Sequence, residues 1–286
     1  MKLPPFEYAS PTSLAEAISL LAAAGGTGKA IAGGQSLLPT MAFRLASPKL
    51  LVDLRRVPDL DRIEARADGV RLGAKVRWRD IEEDARLSSA HPLLVAAIAH
   101  VAHYQIRNRG TVGGSLAHAD PAAEMPGIAV TCDAEIHVAG PQGSRTLRAA
   151  DFFLGPLSTA LADDELITEV RLPVWPEKRR WGFDEFALRR GDFALAGVAW
   201  FYDVDGGTGR AMNAHIGVIG ACHRPHRLAL AEGALNGRAV DEASIQSAAR
   251  AAERAVDPPE DLHAGAAYRR SLVGALLERS LKRASG

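Results

Sequence analysis

The chain has little cysteine, no excess of either charge and no long apolar run, and each shortage removes a class of function. Its 286 residues include only two cysteines, too few for a disulfide framework or for an iron–sulfur cluster. Basic and acidic residues both number 34, so nothing favours nucleic acid or an anionic membrane as a partner. The most apolar stretches, such as residues 93–101, are too short to span a bilayer, and the first residues lack the apolar segment of a signal peptide. We therefore expect a cytoplasmic protein without a membrane span.

Two glycine-rich motifs are present instead. The first motif is Ala32-Gly33-Gly34-Gln35-Ser36-Leu37, and the second motif is Thr111-Val112-Gly113-Gly114-Ser115. Glycine reaches positive φ and lets the backbone approach an anion closely, which leaves successive N–H groups free to point at phosphate oxygens. Two such loops suit a pyrophosphate and therefore predict a dinucleotide cofactor. Taken alone, the first motif is equally typical of a tight strand-to-helix turn, and the second of a bulge or turn after a helix.

Two common nucleotide-binding patterns are absent. No G-x-G-x-x-G sequence joins a strand to a helix, which argues against a nicotinamide cofactor on a Rossmann fold. Residues 25–30 resemble a P-loop only superficially, because Ala23 and Ala30 occupy the positions of its first glycine and its magnesium-binding hydroxyl. We interpret this segment as a helix C-cap and turn.

The periodicity predicts an α+β protein with a boundary near residue 175. Ser13 and Glu16 fit a capping box that begins a helix. Further predicted helices cover residues 37–45, 78–85, 93–102, 122–130, 228–235, 241–256 and 266–281. Predicted strands cover residues 30–32, 50–53, 63–65, 70–74, 134–139, 144–147 and 166–172, and a three-stranded antiparallel sheet covers 183–188, 198–204 and 212–219. Residues 173–180 are the best linker candidate.

The two motifs in their wider context resemble a known family. The segment 106–124 reads IRNRGTVGGSLAHADPAAE, and together with the first motif it resembles the FAD-binding medium subunit of molybdenum hydroxylases. This family includes the flavin subunits of bacterial carbon monoxide dehydrogenases and xanthine dehydrogenases. The resemblance extends over nearly the whole chain, including Arg190-Gly191-Asp192-Phe193-Ala194 and residues 266–270.

The resemblance implies a fold and a set of cofactor-binding residues. FAD would lie between two subdomains of the vanillyl-alcohol oxidase type, residues 1–55 and 56–175, beside a C-terminal domain of three strands and helices at 176–286. The implied binding residues are Ala32, Gly33, Gly34, Gln35, Ser36, Leu37, Thr111, Val112, Gly113, Gly114, Ser115, Glu124, Ile167 and Phe193. Glu124 would contact a ribose or ribityl hydroxyl, and Ile167 would touch the flavin through its backbone. Phe193 replaces a tyrosine of some relatives, so its ring can cover the flavin but cannot donate a hydroxyl hydrogen bond.

The resemblance also implies a function and partners. A large subunit would carry the molybdenum cofactor, a small subunit would carry two [2Fe-2S] clusters, and FAD in this chain would pass electrons to NAD, oxygen or a quinone. A dimer of such heterotrimers is expected, with no catalytic side chain and no metal site in this chain. The substrate stays open among carbon monoxide, a purine, an aldehyde and an N-heterocycle. The alternatives are a standalone FAD oxidase or reductase of the same fold, and a cofactor-free assembly scaffold.

A few other residues have competing interpretations. Arg107 and Arg109 could offset phosphate charge or anchor the second motif, and the sequence favours neither. His100 and His103 are predicted to share a helix face, without a third ligand that would make a metal site. Cys132 is interpreted as a buried small apolar residue.

Overall fold

The computed structural model describes residues 2–285 and shows a mixed helix and sheet architecture. Its N-terminal unit contains β1 (Glu7–Ala9), α1 (Leu14–Ala23), β2 (Gly28–Ile31), α2 (Leu37–Ala42) and β3 (Leu50–Asp53), followed by a 3₁₀ turn at Leu54–Arg56. The strands form a parallel sheet of order β1-β3-β2. Ala17 and Leu21 of α1 are buried in one apolar cluster with Val52 of β3, as the helical period predicts. The first motif is the turn from β2 into α2.

The start of α1 shows half of the predicted capping box. The Ser13 hydroxyl accepts a hydrogen bond from the Glu16 N–H at 3.2 Å. The Glu16 carboxylate accepts from the N–H of Thr12, one residue before the cap, at 2.8 Å. The reciprocal bond is therefore displaced by one residue, and the helix still begins where the sequence predicts.

The middle unit contains a second sheet and most of the helices. Its elements are β4 (Ile63–Arg66), β5 (Gly69–Gly73), α3 (Trp78–Glu83), α4 (Leu87–Ala90), α5 (Pro92–Ile98), α6 (Tyr104–Arg107), α7 (Val112–His118), α8 (Glu124–Thr131), β6 (Glu135–Gly140), β7 (Gly143–Arg148), α9 (Ala149–Phe152), β8 (Phe153–Gly155), β9 (Ser158–Thr159) and β10 (Leu166–Pro173). The large sheet is antiparallel with order β4-β5-β10-β6-β7, and β8 and β9 form a separate hairpin. Both predicted hairpins of this unit are present as β4–β5 and β6–β7.

The C-terminal unit is a sheet covered by helices. It contains β11 (Arg180–Phe186), β12 (Ala196–Val204), β13 (Ala211–Ile219), β14 (His226–Arg227), α10 (Ala229–Leu235), α11 (Glu242–Ala255) and α12 (Ala266–Ser285). The predicted three-stranded sheet is therefore wrong by one strand, because β14 pairs with Gly217 and Val218 of β13. A two-residue strand has no periodicity that a sequence could reveal.

The strand β12 belongs to two apolar cores at once. Ala199 and Phe201 lie in the core of the middle unit, whereas Val198 and Trp200 lie in the core beneath α11 and α12. The indole N–H of Trp200 donates to the Ser280 hydroxyl of α12 at 2.9 Å. Successive side chains of a strand point to opposite faces, so the C-terminal sheet is packed on both sides.

Two predicted helices end early, which changes the histidine prediction. The helix predicted at 37–45 ends at Ala42, and Arg44 has φ +64°. The helix predicted at 93–102 ends at Ile98, so His100 and His103 lie beyond it and share no helix face. His100 instead lies against Phe183, with ring centroids 5.0 Å apart.

Two absences hold for the described residues, 2–285. No helix there combines the length and apolarity that crossing a bilayer requires. The same residues contain no cluster of three or more His, Cys, Asp or Glu side chains that could hold a metal ion. Both cysteines are buried and free, as the interpretation of Cys132 expects.

Candidate cofactor site

The first motif presents unused backbone donors. It follows β2 and turns sharply, with Gly34 at φ +72°. Among the described residues, the backbone N–H groups from Gly33 to Ser36 donate to no acceptor. The Gln35 amide donates to the Gly33 carbonyl at 3.1 Å and so fixes the turn from inside. The result is a half-buried run of N–H groups, which suits an anion such as a phosphate.

The second motif is built differently from the loop that its sequence predicts. It forms the first turn of α7, with Thr111 as the N-cap. The N–H groups of Val112 and Gly113 donate to the carbonyls of Val76 and Ala74, both at 2.9 Å. The Gly114 N–H donates to the Thr111 hydroxyl at 3.2 Å. The expectation of free backbone donors is therefore wrong here.

The glycines of the second motif still have separate roles. A Cβ atom at Gly113 would lie 2.6 Å from the Cβ of Ala74, so this position needs glycine for close packing. A Cβ atom at Gly114 would meet only the Thr111 hydroxyl, at 2.8 Å, and Gly114 itself is exposed. The motif therefore offers a ligand the open surface at Gly114, where no side chain projects, and the hydroxyl of Ser115.

The two motifs lie against each other. A Cβ atom at Gly33 would lie 2.0 Å from the carbonyl oxygen of Arg109, two residues before Thr111. Only glycine permits this backbone contact. A cleft of about 410 Å³ opens beside it, lined by Ala32, Gly33, Arg55, Asp61, Lys75, Arg77, Asp80, Asn108, Arg109 and Thr111.

Most of the cations that line this cleft are already engaged. Arg55 pairs with Asp53 at 2.6 Å, and Arg77 pairs with Asp80 at 2.7 Å. Lys75 donates to the carbonyl of Val57 at 2.6 Å. These contacts fix the walls of the cleft and neutralise Arg55 and Arg77, whereas Lys75 keeps its positive charge.

Two other residues that line the cleft, Arg109 and Asn108, have side-chain polar atoms without partners in the described part of the chain. Arg109 is exposed, and its side chain forms no hydrogen bond or ion pair with any residue from 2 to 285. The side-chain oxygen of Asn108 is buried and has no partner among those residues. Arg107, in contrast, pairs with Glu82 at 3.0 Å and donates to the carbonyls of Val101 and Ala102. Arg107 thus anchors the segment, and Arg109 is available to a ligand.

Glu124 begins α8 and is 8% exposed. Burial raises the pKa of this carboxyl group to about 7, and the charge of Asp120 contributes in the same direction. A carboxyl group in this environment is partly protonated at neutral pH and can both donate and accept a hydrogen bond. This behaviour suits a hydroxyl-bearing ligand.

The two remaining predicted residues, Ile167 and Phe193, differ in their exposure to solvent. Ile167 is buried in β10, next to Thr168. The Thr168 carbonyl accepts a hydrogen bond from the N–H of Ala74, and the Ala74 carbonyl accepts one from the N–H of Gly113. The backbone of β10 is therefore linked to the second motif by two hydrogen bonds. Phe193 lies in the connection between β11 and β12 and is 71% exposed. Neither Phe193 nor Glu124 lines the cleft.

Sequence reasoning missed Glu185, which lies on β11 with a buried oxygen that has no partner. The signal was present, since Trp181, Phe183 and Glu185 alternate along a strand and place an acid among inward-facing aromatic residues.

The arrangement of the first motif and Arg109 fits FAD. The diphosphate of FAD needs several donors, and the first motif and Arg109 supply them without a competing partner.

Comparisons with known proteins identify the family of this chain. The family model for an FAD binding domain in molybdopterin dehydrogenase matches residues 4–175, and that for a CO dehydrogenase flavoprotein C-terminal domain matches residues 181–284. The nicotine 6-hydroxylase medium subunit of Paenarthrobacter nicotinovorans is 42% identical over 281 residues, or 98% of each chain. A solved carbon monoxide dehydrogenase from Hydrogenophaga pseudoflava, lacking the Mo-pyranopterin moiety of its molybdenum cofactor, matches with a TM-score of 0.96 at 36% identity, covering 99% of this chain and 98% of that one.

A second solved structure gives the same result. Quinoline 2-oxidoreductase from Pseudomonas putida 86 matches with a TM-score of 0.94 at 39% identity, covering 100% of this chain and 98% of that one. The sequence resemblance is therefore confirmed across the whole chain. The protein is an oxidoreductase subunit with an FAD-binding domain, and it belongs to the FAD-binding medium subunits of the molybdenum hydroxylase family.

Proposed function

We propose that this chain is the electron-transfer flavoprotein subunit of a molybdenum-containing hydroxylase or dehydrogenase. It would accept electrons from [2Fe-2S] clusters of a partner subunit and pass them to an external acceptor. The observation that carries the proposal is the turn from Gly33 to Ser36, whose N–H groups are unused beside the unpaired Arg109. FAD, when bound, supplies the electron-transfer chemistry, and the chain supplies its position and electrostatic environment.

Most of the predicted site residues then have a task, whereas Thr111, Val112 and Gly113 build the start of α7. The backbone from Ala32 to Leu37 and the Arg109 guanidinium would hold the diphosphate. The open backbone at Gly114 and the Ser115 hydroxyl would hold the neighbouring part of the cofactor. Glu124 would bind a ribose or ribityl hydroxyl. Ile167 would contact the flavin through its backbone, and Phe193 would cover it with a ring that has no hydroxyl.

The partners follow from the family and from the cysteine content. Two buried cysteines cannot hold a [2Fe-2S] cluster, so the clusters would belong to a small subunit and the molybdenum cofactor to a large one. We further propose a dimer of heterotrimers in the cytoplasm, with FAD binding by residues 1–175 and a C-terminal domain at 176–286. Relatives are named for nicotine, carbon monoxide and quinoline, so the substrate depends on the partner subunit and is left unassigned.

FAD retention by the purified chain tests the proposal. After incubation with FAD and desalting, we expect a flavin absorption spectrum and release of FAD on denaturation. Gly114→Val should lower the retained FAD at least tenfold, because its side chain blocks approach to the exposed first turn of α7. Gly233→Val is the matched control, since Gly233 is also an exposed helical glycine with open space around it. Equal retention in both variants would remove the second motif from the site.

Co-purification separates this proposal from its alternatives. A tagged chain should bring down one iron-containing and one molybdenum-containing subunit, together with bound FAD. A lone flavoprotein with full turnover would instead support a standalone oxidase or reductase. The same complex without any flavin would support a cofactor-free scaffold.

A further inference from the structure

The strand β11 separates its side chains onto two faces. Asp184 faces α12, where it pairs with Arg279 and Arg283 at 2.9 and 2.8 Å. Phe183 points the opposite way and packs against the core of the middle unit. Glu185 follows Asp184, so its side chain points toward the FAD-binding part of the chain.

The neighbours of Glu185 connect it to the start of α8. Glu185 pairs in register with Gly197 of β12. A Cβ atom at Gly197 would lie 3.5 Å from Glu185 Cγ and 3.3 Å from Ile219 Cβ. Ile219 in turn fills the space above Gly127, where a Cβ atom would lie 2.3 Å from Ile219 Cγ1. Gly127 lies one helical turn after Glu124, so Ile219 links the neighbourhoods of the two carboxyl groups.

One carboxyl oxygen of Glu185 has no hydrogen-bond partner among the described residues. Its Oε2 atom is buried and has no hydrogen-bond partner. Burial and the nearby charge of Glu124 raise the pKa of Glu185 to about 8. Buried polar atoms without partners are rare in folded proteins, and each requires an explanation.

The surrounding charged groups do not supply that explanation. Asp120 lies just before α8 and adds negative charge. Burial lowers the pKa of His100 below its ordinary value, and Arg190 acts in the same direction against the opposing charge of Asp184. Arg269 of α12 directs its terminal nitrogens to the carbonyl oxygens of Leu195 and Gly220 and to Asp261. Among residues 2–285, no cationic side chain forms a hydrogen bond or ion pair with either carboxyl group.

We propose that Glu185 is a further cofactor-binding residue, whose uncharged carboxyl group donates a hydrogen bond to the FAD that Glu124 also contacts. This inference rests on the proposed function, since it needs FAD bound to this chain and extending from the cleft toward the start of α8. The C-terminal sheet then takes part in holding the cofactor. Ionisation of Glu185 removes the donated proton and adds a second negative charge beside Glu124, and both changes weaken binding of an anionic cofactor.

The test is to measure the dissociation constant of FAD between pH 6.5 and 9.5. FAD is added to the flavin-free chain, and its binding is followed by flavin fluorescence. For the wild-type chain we expect the constant to rise about tenfold from pH 8 to pH 9.5, because Glu185 loses its proton there while Glu124, whose pKa is about 7, is already largely ionised. Glu185→Gln keeps a donor that does not ionise. We expect this variant to bind within about threefold of wild type at pH 7 and to vary less than about twofold from pH 8 to pH 9.5.

Two further variants complete the experiment. Glu177→Gln is the matched control, because Glu177 is exposed in the segment between β10 and β11, and it should follow the wild-type profile. Glu185→Leu removes the donor and should raise the dissociation constant about tenfold at pH 7. If Glu185→Leu does not fold, the pH profile of Glu185→Gln decides alone.

The outcomes distinguish this inference from the proposed function. Intact binding with a wild-type pH profile in Glu185→Gln, or wild-type affinity in Glu185→Leu, would overturn the role of Glu185 alone. A wild-type chain that binds no FAD at any pH would overturn the proposed function and this inference with it.

Discussion

The two glycine-rich motifs are alike in sequence and opposite in structure. The first leaves the N–H groups from Gly33 to Ser36 without acceptors, whereas the second uses those of Val112, Gly113 and Gly114 to begin and anchor α7. Paired glycines beside a hydroxyl residue therefore do not by themselves indicate free backbone donors. The difference arises from position, because the second motif lies against the carbonyls of residues 74 and 76 and the first lies beside an open cleft.

The largest expected effect concerns the contact between the motifs. Gly33→Ala places a methyl group 2.0 Å from the Arg109 carbonyl oxygen, so the two segments must separate. We expect a loss of about 3 kcal/mol in the free energy of unfolding, measured by urea denaturation. Gly114→Ala should change it by less than about 0.5 kcal/mol, since its methyl group meets only a side-chain hydroxyl and alanine favours a helix. Similar losses in both variants would show that the motifs are not structurally distinct.

The two arginines that precede the second motif should separate stability from binding. Arg107→Ala breaks an ion pair and two bonds to carbonyls, and should lower the free energy of unfolding by about 2 kcal/mol. Arg109→Ala breaks no internal bond and should leave stability unchanged while raising the FAD dissociation constant about tenfold. Salt should reduce the second effect, because Arg109 is exposed. An unchanged dissociation constant in Arg109→Ala would leave the first motif as the only diphosphate contact.

The hydroxyl residues give the next comparison. Thr111→Val removes the cap of α7 and should cost about 1 kcal/mol of stability, measured by thermal unfolding. Ser36 makes no side-chain cap bond, so Ser36→Ala should cost less than about 0.5 kcal/mol. Its effect should appear instead as an approximately threefold weaker FAD affinity. A stability loss in Ser36→Ala equal to that in Thr111→Val would contradict this division.

The sequence predicted the fold best where apolar periodicity extended over several residues. The hairpins around Gly69 and Gly143 and the long strands β12 and β13 are confirmed with shifts of a residue or two at their ends. The strand β14 was missed because two residues carry no pattern, and the helix at 37–45 was drawn too long because nothing marks the left-handed turn at Arg44.

The site was predicted less completely than the fold. The residues of the first motif follow from local chemistry, since their glycines and hydroxyl are adjacent in the chain. The engagement of the second motif depends on Ala74 and Val76, which are more than thirty residues away in sequence. Predicting Glu185 as a site residue would have required knowing which face of β11 is covered. Tertiary packing, rather than local sequence, determines that face.

The double-sided packing of β12 limits how freely the two halves of this protein can be exchanged with those of its relatives. Gly217 has no room for a side chain because a Cβ atom there would lie 1.8 Å from the Thr131 hydroxyl oxygen of α8. A larger residue on one side of this contact would therefore require a smaller one on the other, as Gly217 faces Thr131 and Gly127 faces Ile219. A chimera that takes residues 181–284 from a relative should fold only when the residues of α8 that face the sheet come from the same source.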